Sequence, residues 1–325
     1  TVRIRHGDRR CAVSVRHNVA FTSNGTTCDA WFYPGCDISP FDTPTGRPAV
    51  VMAHGFAGTK DSGLEPFAER LADAGLAVLA FDYRGFGASD GEPRQRISMT
   101  GQADDYRAAI ASAQRQTGVD PHRIILWGLS QSGGHALIVA ADRDDIAAVI
   151  SMVPLVNGIA AGRHAYPQVG AASMARSTVL GVRSALATRL GRDATMMPVV
   201  GREGERAALT ADGYYESYLS IAGPTWRNEV DASIGLELGS FRADKHADRI
   251  GAPVLVQIAD FDRGAPPHAA ADAAFKAHAE VRHYPCDHFD IFAGREWFEP
   301  AVRHQIDFLT RHLAVAAAGT PEVTA

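Results

Sequence analysis

The sequence has few cysteines, no long apolar run and no excess of basic charge. Its cysteines, at positions 11, 28, 36 and 286, form no CxxC pair and no Cys/His cluster with zinc-ligand spacing, so a structural zinc site has little support. No apolar stretch approaches the roughly 18 residues that a membrane-spanning helix needs. The formal charge is −5, with Lys and Arg dispersed along the chain. We therefore expect no nucleic-acid partner and no membrane span.

At the beginning of the chain, no positive segment is followed by the apolar stretch of a secretory signal peptide. We expect a cytoplasmic protein with reduced cysteines; a disulfide among the first three cysteines is the alternative. With 325 residues and 46% hydrophobic content, the chain can bury the core of one large α/β domain with an insertion. A homo-oligomer remains open.

Short apolar strands alternate with amphipathic helices along most of the chain, which is typical of a mainly parallel sheet covered on both faces. Two β-rich runs joined by an Asn-Gly turn predict an antiparallel hairpin at one edge. The predicted strands are 17–22, 27–33, 48–53, 77–82, 123–127, 146–152, 253–258 and 280–284. The predicted helices of this part are about 62–75, 101–116, 131–141, 267–278 and 296–314. The pattern predicts an α/β fold with an eight-stranded sheet.

This alternation breaks at Pro154 and resumes near position 253. The stretch between has helical patterns around 173–190 and 205–220, together with several aromatic residues that look exposed. A structureless loop of that length is uncommon in a compact domain, so we predict a helical lid inserted after the sixth strand. The predicted parts are a core at 1–154 and 246–315, a lid at 155–245 and a disordered tail at 316–325.

The most informative segment is Arg123-Ile-Ile-Leu-Trp-Gly-Leu-Ser-Gln-Ser-Gly-Gly-His135, in which an apolar run ends at Ser130. It indicates a strand, a sharp turn and the start of a helix. Such a turn exposes a serine nucleophile and needs small residues two positions before and after it, here Gly128 and Ser132. Ser132 is the alternative nucleophile, but it would leave extra residues between strand and turn. A serine that merely caps the helix is the non-catalytic alternative.

A serine nucleophile needs a base, and His288 is the candidate. It lies in Tyr284-Pro-Cys-Asp-His-Phe-Asp290, just after the last predicted strand, and active sites assemble at the carboxyl ends of parallel strands. An acid that orients this histidine is expected after strand 253–258, where Asp260 and Asp262 are both available. The histidines flanking Cys286 could also indicate a metal site, but a catalytic histidine in a loop needs fewer assumptions.

These segments resemble the α/β-hydrolase superfamily, and most closely its bacterial members similar to dienelactone hydrolases and Xaa-Pro peptidase cores. The elbow of that family is G-x-S-x-G, from which this chain departs only at Ser132. The resemblance implies the order nucleophile, acid, histidine, and therefore a triad of Ser130, Asp262 and His288. Asp262 is preferred over Asp260 because family members commonly place the acid before a turn and a proline.

The segment Ala53-His-Gly-Phe-Ala-Gly58 resembles the family's His-Gly loop, which supplies one N–H of the oxyanion hole. The resemblance implies that the backbone N–H groups of Phe56 and Gln131 bind the oxyanion. The role expected for His54 is structural.

The chemistry implied is acyl transfer to water through an acyl-enzyme, with no metal and no organic cofactor. We expect a small-molecule acyl substrate, with carboxylic esters as the default. Thioesters, amides or peptides, acyl transfer to another alcohol and a non-catalytic binding protein are the alternatives. Tyr214, Tyr215 and Trp226 in the predicted lid are expected to wall the substrate pocket, or else to pack the lid onto the core.

Overall fold

The computed structural model describes residues 15–315, so the predicted tail at 316–325 lies outside the described residues. Its strands are β1 His17–Ser23, β2 Thr26–Tyr33, β3 Arg47–Ala53, β4 Ala77–Phe81, β5 Val119–Leu129, β6 Ile146–Met152, β7 Met196–Met197, β8 Val230–Asp231, β9 Val254–Ala259 and β10 Glu280–Tyr284. Its helices are α1 Glu65–Asp73, α2 Met99–Ala113, α3 Gln131–Ala141, α4 Gly158–Arg189, α5 Tyr214–Ile221, α6 Ile234–Ser240, α7 Pro267–Lys276 and α8 Phe298–Leu313. Two short 3₁₀ turns, Ala243–Lys245 and Ala247–Arg249, precede β9.

Within the described residues, eight strands form one sheet in the order β1-β2-β4-β3-β5-β6-β9-β10. β2 pairs antiparallel with both β1 and β4, and the remaining pairs are parallel. The mainly parallel eight-stranded sheet is therefore confirmed, including the antiparallel hairpin at its edge.

Continuous burial explains why inner strands of the sheet read as unbroken apolar runs. Every residue of β4 and of β9 is buried, as expected for strands covered on both faces. One face carries α1 and α8, which pack on each other, and there the ring of Phe67 lies 5.3 Å from Trp127 of β5. Trp127 donates its indole N–H to Gln305 of α8 at 3.0 Å. The opposite face carries α2 and α3, also in contact with each other.

The chain between β6 and β9 leaves the sheet and forms the insertion. Its longest helix, α4, contains Pro167 and is interrupted at Gly170, which has φ 71° and ψ 161°. The predicted helix at 173–190 is the second half of α4, and the predicted helix at 205–220 is the shorter α5. The first half of α4 was not anticipated. That the insertion acts as a lid stays a prediction.

The cysteines differ in state. Cys28 and Cys286 are buried free thiols, and burial raises the pKa of each to about 12. Cys36 is disulfide-bonded, which corrects the expectation that the cysteines are all reduced. In the part of the chain that the structure describes, no helix is both long and apolar enough to cross a membrane.

Candidate active site

Ser130 occupies the turn between β5 and α3 in a conformation that non-glycine residues rarely adopt, with φ 57° and ψ −117°. Its N–H donates to the carbonyl of Met152 on β6 at 2.8 Å, and its own carbonyl accepts from Leu155 at 2.9 Å. These bonds hold a backbone geometry that costs about 1–3 kcal/mol. The Ser130 side chain makes no capping hydrogen bond to α3, which removes the explanation that the serine is there as a helix cap.

Close packing around the turn explains its small residues. A Cβ added at Gly128 would lie 2.0 Å from the carbonyl oxygen of Ser132, and one added at Gly55 would lie 3.1 Å from the Ser130 Cβ. Ser132 is fully buried; its hydroxyl donates to the carbonyl of His54 and lies 2.8 Å from the hydroxyl of Tyr83. Of the two serines, Ser130 therefore occupies the turn, and Ser132 is engaged in the core.

His288 is paired with Asp262. The Nδ1 atom of His288 lies 2.6 Å from Oδ2 of Asp262, and both side chains are almost fully buried. The other oxygen of Asp262 accepts from the backbone N–H groups of Gly264 and Ala265 at 2.8 and 2.7 Å. Asp260 instead lies 2.6 Å from the exposed His283. The geometry therefore pairs His288 with Asp262, the acid that lies before the turn and Pro266.

The charge environment of His288 favours its protonated form. Burial lowers the pKa of the imidazole, but the charge of Asp262, the hydrogen bond to it and the charge of Asp287 together raise that pKa above its ordinary value. Asp287 also accepts the backbone N–H of His288 at 2.7 Å. A carboxylate that stabilises the imidazolium suits a histidine that must receive a proton during catalysis.

Strand order brings these groups to one edge of the sheet. Ser130 follows β5, Asp262 follows β9 and His288 follows β10, and the four strands β5, β6, β9 and β10 are neighbours that run parallel. Their carboxyl ends therefore meet at the same edge, where sites of open α/β sheets form. The three residues are spread over 159 positions of the sequence. In the fold they lie in loops at the same edge of the sheet.

The loop after β3 lies against the elbow, as Gly55 shows by its distance from Ser130. Ala57 in this loop has a positive φ of 49°. Gln131 begins α3, so its N–H has no acceptor within the helix and is free to bind a ligand. His54 is buried with its ring 4.9 Å from Tyr83, and burial lowers its pKa. A buried neutral ring fits the structural role expected for His54.

The predicted pocket aromatics are placed differently from one another. Tyr214 is 3% exposed and donates to Asp287 at 2.9 Å, and Trp226 is half-buried and donates to the carbonyl of Ala57 at 3.1 Å. Tyr215 lies under the guanidinium of Arg202, 4.3 Å from its ring centroid. The expectation that the aromatics of this stretch are exposed is wrong for Tyr214 and for Tyr218, which are 3% and 5% exposed. The side chain of Tyr214 is buried against the His288 loop.

The sequence reasoning missed Tyr218 as a site residue. It is 5% exposed, and its hydroxyl donates to the carbonyl of Phe56 at 2.7 Å. The signal that could have found it is its i, i+4 spacing from Tyr214, which puts both rings on one face of α5. Both rings contact Phe289, the residue after the candidate base, at centroid distances of 5.0 and 5.7 Å.

A cleft of about 340 Å³ lies between the start of α4 and the start of α7. Its lining residues are Ala160, Arg163, His164, Pro167 and His268. His164 Nε2 lies 2.9 Å from the backbone carbonyl of Asp262, so the cleft borders the acid loop. Among residues 15–315, no group of three or more His, Cys, Asp or Glu is arranged to hold a metal ion.

Comparison with known proteins agrees with this fold. Residues 48–294 match the family described as the alpha/beta hydrolase fold, and the chain belongs to that family. The chain is 36% identical over 301 residues to the quorum-quenching protein AidA of Acinetobacter baumannii (strain MDR-ZJ06), covering 92% of this chain and 95% of that protein. It is 29% identical over 315 residues to polyketide transferase af380 of Aspergillus fumigatus, with coverage of 92% and 99%.

A solved structure shows the same fold. The α/β hydrolase GrgF from Penicillium sp. sh18 superposes with a TM-score of 0.76 at 24% identity, covering 93% of this chain and all of that one. The predicted superfamily is thus confirmed, whereas the resemblance to dienelactone hydrolases and Xaa-Pro peptidase cores stays a prediction. Family membership supports an enzyme with a hydrolytic or acyl-transfer role.

Proposed function

We propose that this protein is a serine hydrolase that cleaves carboxylic esters through an acyl-enzyme on Ser130, with His288 as base and Asp262 as orienting acid. The observation that carries the proposal is the buried His288–Asp262 pair, 2.6 Å apart, at the sheet edge where the strained Ser130 turn also lies. A buried histidine–carboxylate pair that follows strands ending at the same sheet edge as a serine turn is the arrangement expected to activate a hydroxyl nucleophile.

In the first half-reaction, the Ser130 hydroxyl attacks the ester carbonyl while His288 takes its proton. The carbonyl oxygen becomes an oxyanion, which the N–H groups of Phe56 and Gln131 bind. Each such donor is typically worth about 2.7–4 kcal/mol of transition-state stabilisation. The bond to the alcohol oxygen then breaks, and the alcohol leaves with the proton that His288 returns.

In the second half-reaction, His288 removes a proton from water, which attacks the acyl-enzyme carbonyl. The second tetrahedral intermediate collapses, releasing the carboxylic acid and restoring the Ser130 hydroxyl with the proton from His288. Because Asp262 accepts at Nδ1, it keeps the proton on that nitrogen and leaves Nε2 free to act as the base.

Acyl transfer to an alcohol or cleavage of a thioester is the second candidate. It is favoured by the similarity to polyketide transferase af380 over nearly the whole of both chains. The triad is the same, and only the nucleophile that resolves the acyl-enzyme, or the atom that leaves, differs. The acyl pocket predicted around Tyr214, Tyr215 and Trp226 and the cleft beside the acid loop are the places where substrate choice would be made.

The test compares p-nitrophenyl esters of increasing acyl length with the matching thioesters, with and without an added alcohol. Ester cleavage that exceeds thioester cleavage, and that yields free acid in the presence of the alcohol, supports the proposal. Preferred thioester cleavage or formation of a new ester supports the second candidate. No turnover, together with no fluorophosphonate labelling of Ser130, would leave a non-catalytic binding protein as the explanation.

The cytoplasmic location expected from the sequence stays a prediction, as does homo-oligomer formation. The disulfide-bonded Cys36 weighs against the cytoplasm, because disulfides form and persist mainly in oxidising compartments. Cell fractionation with thiol labelling of Cys36 would decide between the two locations.

A further inference from the structure

Part of the insertion is bonded to the loop that carries one of the proposed oxyanion donors. Residues 214–226, here named the bracing segment, comprise α5 and the turn after it. Tyr218 donates its hydroxyl to the carbonyl of Phe56 at 2.7 Å, and Trp226 donates its indole N–H to the carbonyl of Ala57 at 3.1 Å. Two consecutive carbonyls of the oxyanion loop are thus bound by side chains from another part of the chain.

The same segment is attached a second time just beyond this loop. The N–H of Thr225 donates to the carboxylate of Asp61 at 3.0 Å, and the N–H of Gly223 donates to the hydroxyl of Ser62 at 3.3 Å. A Cβ added at Gly223 would lie 2.3 Å from Cγ of Asp61, so the approach requires glycine. Four hydrogen bonds therefore connect the bracing segment with the short stretch from Phe56 to Ser62.

The oxyanion loop needs such support because its backbone is strained. Ala57 has a φ of 49° without being glycine, a conformation that persists only where surrounding contacts impose it. The carbonyl of Phe56 accepts from Tyr218, which restricts rotation of the peptide that follows the proposed N–H donor. An oxyanion donor acts only when it is held in place before the reaction.

We infer that Tyr218 and Trp226 are positioning residues that hold the Phe56 N–H toward the developing oxyanion. This inference rests on the proposed function. The bracing segment is then a fixed wall of the active site, bonded within the oxyanion loop and again just beyond it. The rings of Tyr218 and Trp226 lie 5.0 Å apart, so the two donors form one packed unit.

The test uses Tyr218→Phe and Trp226→Phe, which remove a hydrogen-bond donor and keep an aromatic ring. The control is Tyr284→Phe, which also loses a buried tyrosine hydroxyl, bonded here to Gln257 and His304 on the side of α8. For each variant we would measure kcat and KM for a p-nitrophenyl ester and the inhibition constant of a trifluoromethyl ketone with the same acyl chain. That ketone forms an oxyanion on the serine.

We expect each bracing variant to lower kcat and to weaken ketone binding by the same factor of about 10, with KM within about twofold of wild type. Complete loss of one oxyanion donor, about 10²–10³-fold in kcat, is the upper bound. Tyr284→Phe should keep the wild-type ratio of ketone binding to KM even if it lowers the melting temperature.

Two results separate failure of this inference from failure of the proposed function. If the wild type cleaves esters but both bracing variants match Tyr284→Phe in kcat and ketone binding, the bracing segment only packs the insertion and the inference is wrong. If the wild type shows no ester cleavage and no labelling of Ser130, the proposed function itself is wrong.

Discussion

The strand ends of the sheet and the insertion between β6 and β9 build the site in different ways. The residues proposed for chemistry follow three parallel strands of one sheet, of which β5 is largely buried and β9 wholly buried, so their positions are set by the sheet. The insertion reaches the same site through side-chain hydrogen bonds to backbone carbonyls. The positions of the strand-end residues depend on the core as a whole, whereas the attachment of the insertion depends on a few hydrogen-bond donors.

The insertion is itself uneven. The bracing segment is bonded to the core, whereas the second half of α4 exposes apolar side chains, with Val179 at 58% and Leu186 at 52%. The bracing segment and the second half of α4 therefore differ in how much apolar surface they leave exposed. We expect changes at the strand ends to abolish the reaction, and changes in the bracing segment to reduce it.

The largest effect is expected at the strand end of β5. Ser130→Ala should lower kcat by roughly 10⁶-fold without unfolding the protein, because the serine and its base act as one unit. Ser132→Ala is the control: it should lose stability, since its hydroxyl is bonded to His54 and Tyr83, and keep most of its activity. Covalent labelling at Ser132, mapped by mass spectrometry, would contradict the assignment.

The next effect concerns the acid after β9. Asp262→Asn should reduce kcat on the order of 10⁴-fold, because the amide favours the wrong tautomer of His288. Asp260→Asn changes the same chemical group two residues away, where the carboxylate meets only the exposed His283, and should stay near wild type. If steady-state kinetics show equal losses of kcat in the two variants, the assignment of Asp262 rather than Asp260 as the orienting acid is wrong.

Trp226 tests whether the insertion also chooses the substrate. Trp226→Phe removes the N–H donor and should lower turnover of all acyl lengths in proportion. Trp226→Ala also removes the ring and should shift the ranking of acyl lengths by a few-fold, as expected when a wall of an apolar pocket is lost. If both variants rank the acyl lengths in the same order, Trp226 acts only through its hydrogen bond to the Ala57 carbonyl.

The smallest effect is a shift of the pH profile. His288 must be neutral to act as base, and its pKa is raised above the ordinary value, so kcat/KM should fall as the pH drops through that raised pKa. The charges facing it are those of Asp262 and Asp287, the latter bound to Arg263. Asp287→Asn should move the acid limb to lower pH by up to about one unit. If the acid limb of the pH profile does not shift, the charge of Asp287 does not affect the pKa of the His288 imidazole.

Sequence reasoning worked best where periodicity and local geometry coincide. β6 and β10 were predicted at their observed bounds, 146–152 and 280–284. For β6 the reason is that a buried parallel strand reads as an apolar run. The small residues around Ser130 were recognised because the turn leaves no room for larger ones. The insertion was predicted less well: α5 is shorter than predicted, and the i, i+4 spacing of Tyr214 and Tyr218 was not recognised as the sign of a buried face.

The sequence by itself determined the strands, their alternation with helices, and the family resemblance that singled out Ser130, Asp262 and His288. These follow from local patterns, since burial and tight turns restrict which residues are allowed at each position. Only the tertiary structure showed the contact between His288 and Asp262, which the resemblance had implied, and the bond from Tyr218 to the Phe56 carbonyl. Such contacts join residues separated by 26 and 162 positions, and their partners are selected by how the whole chain packs.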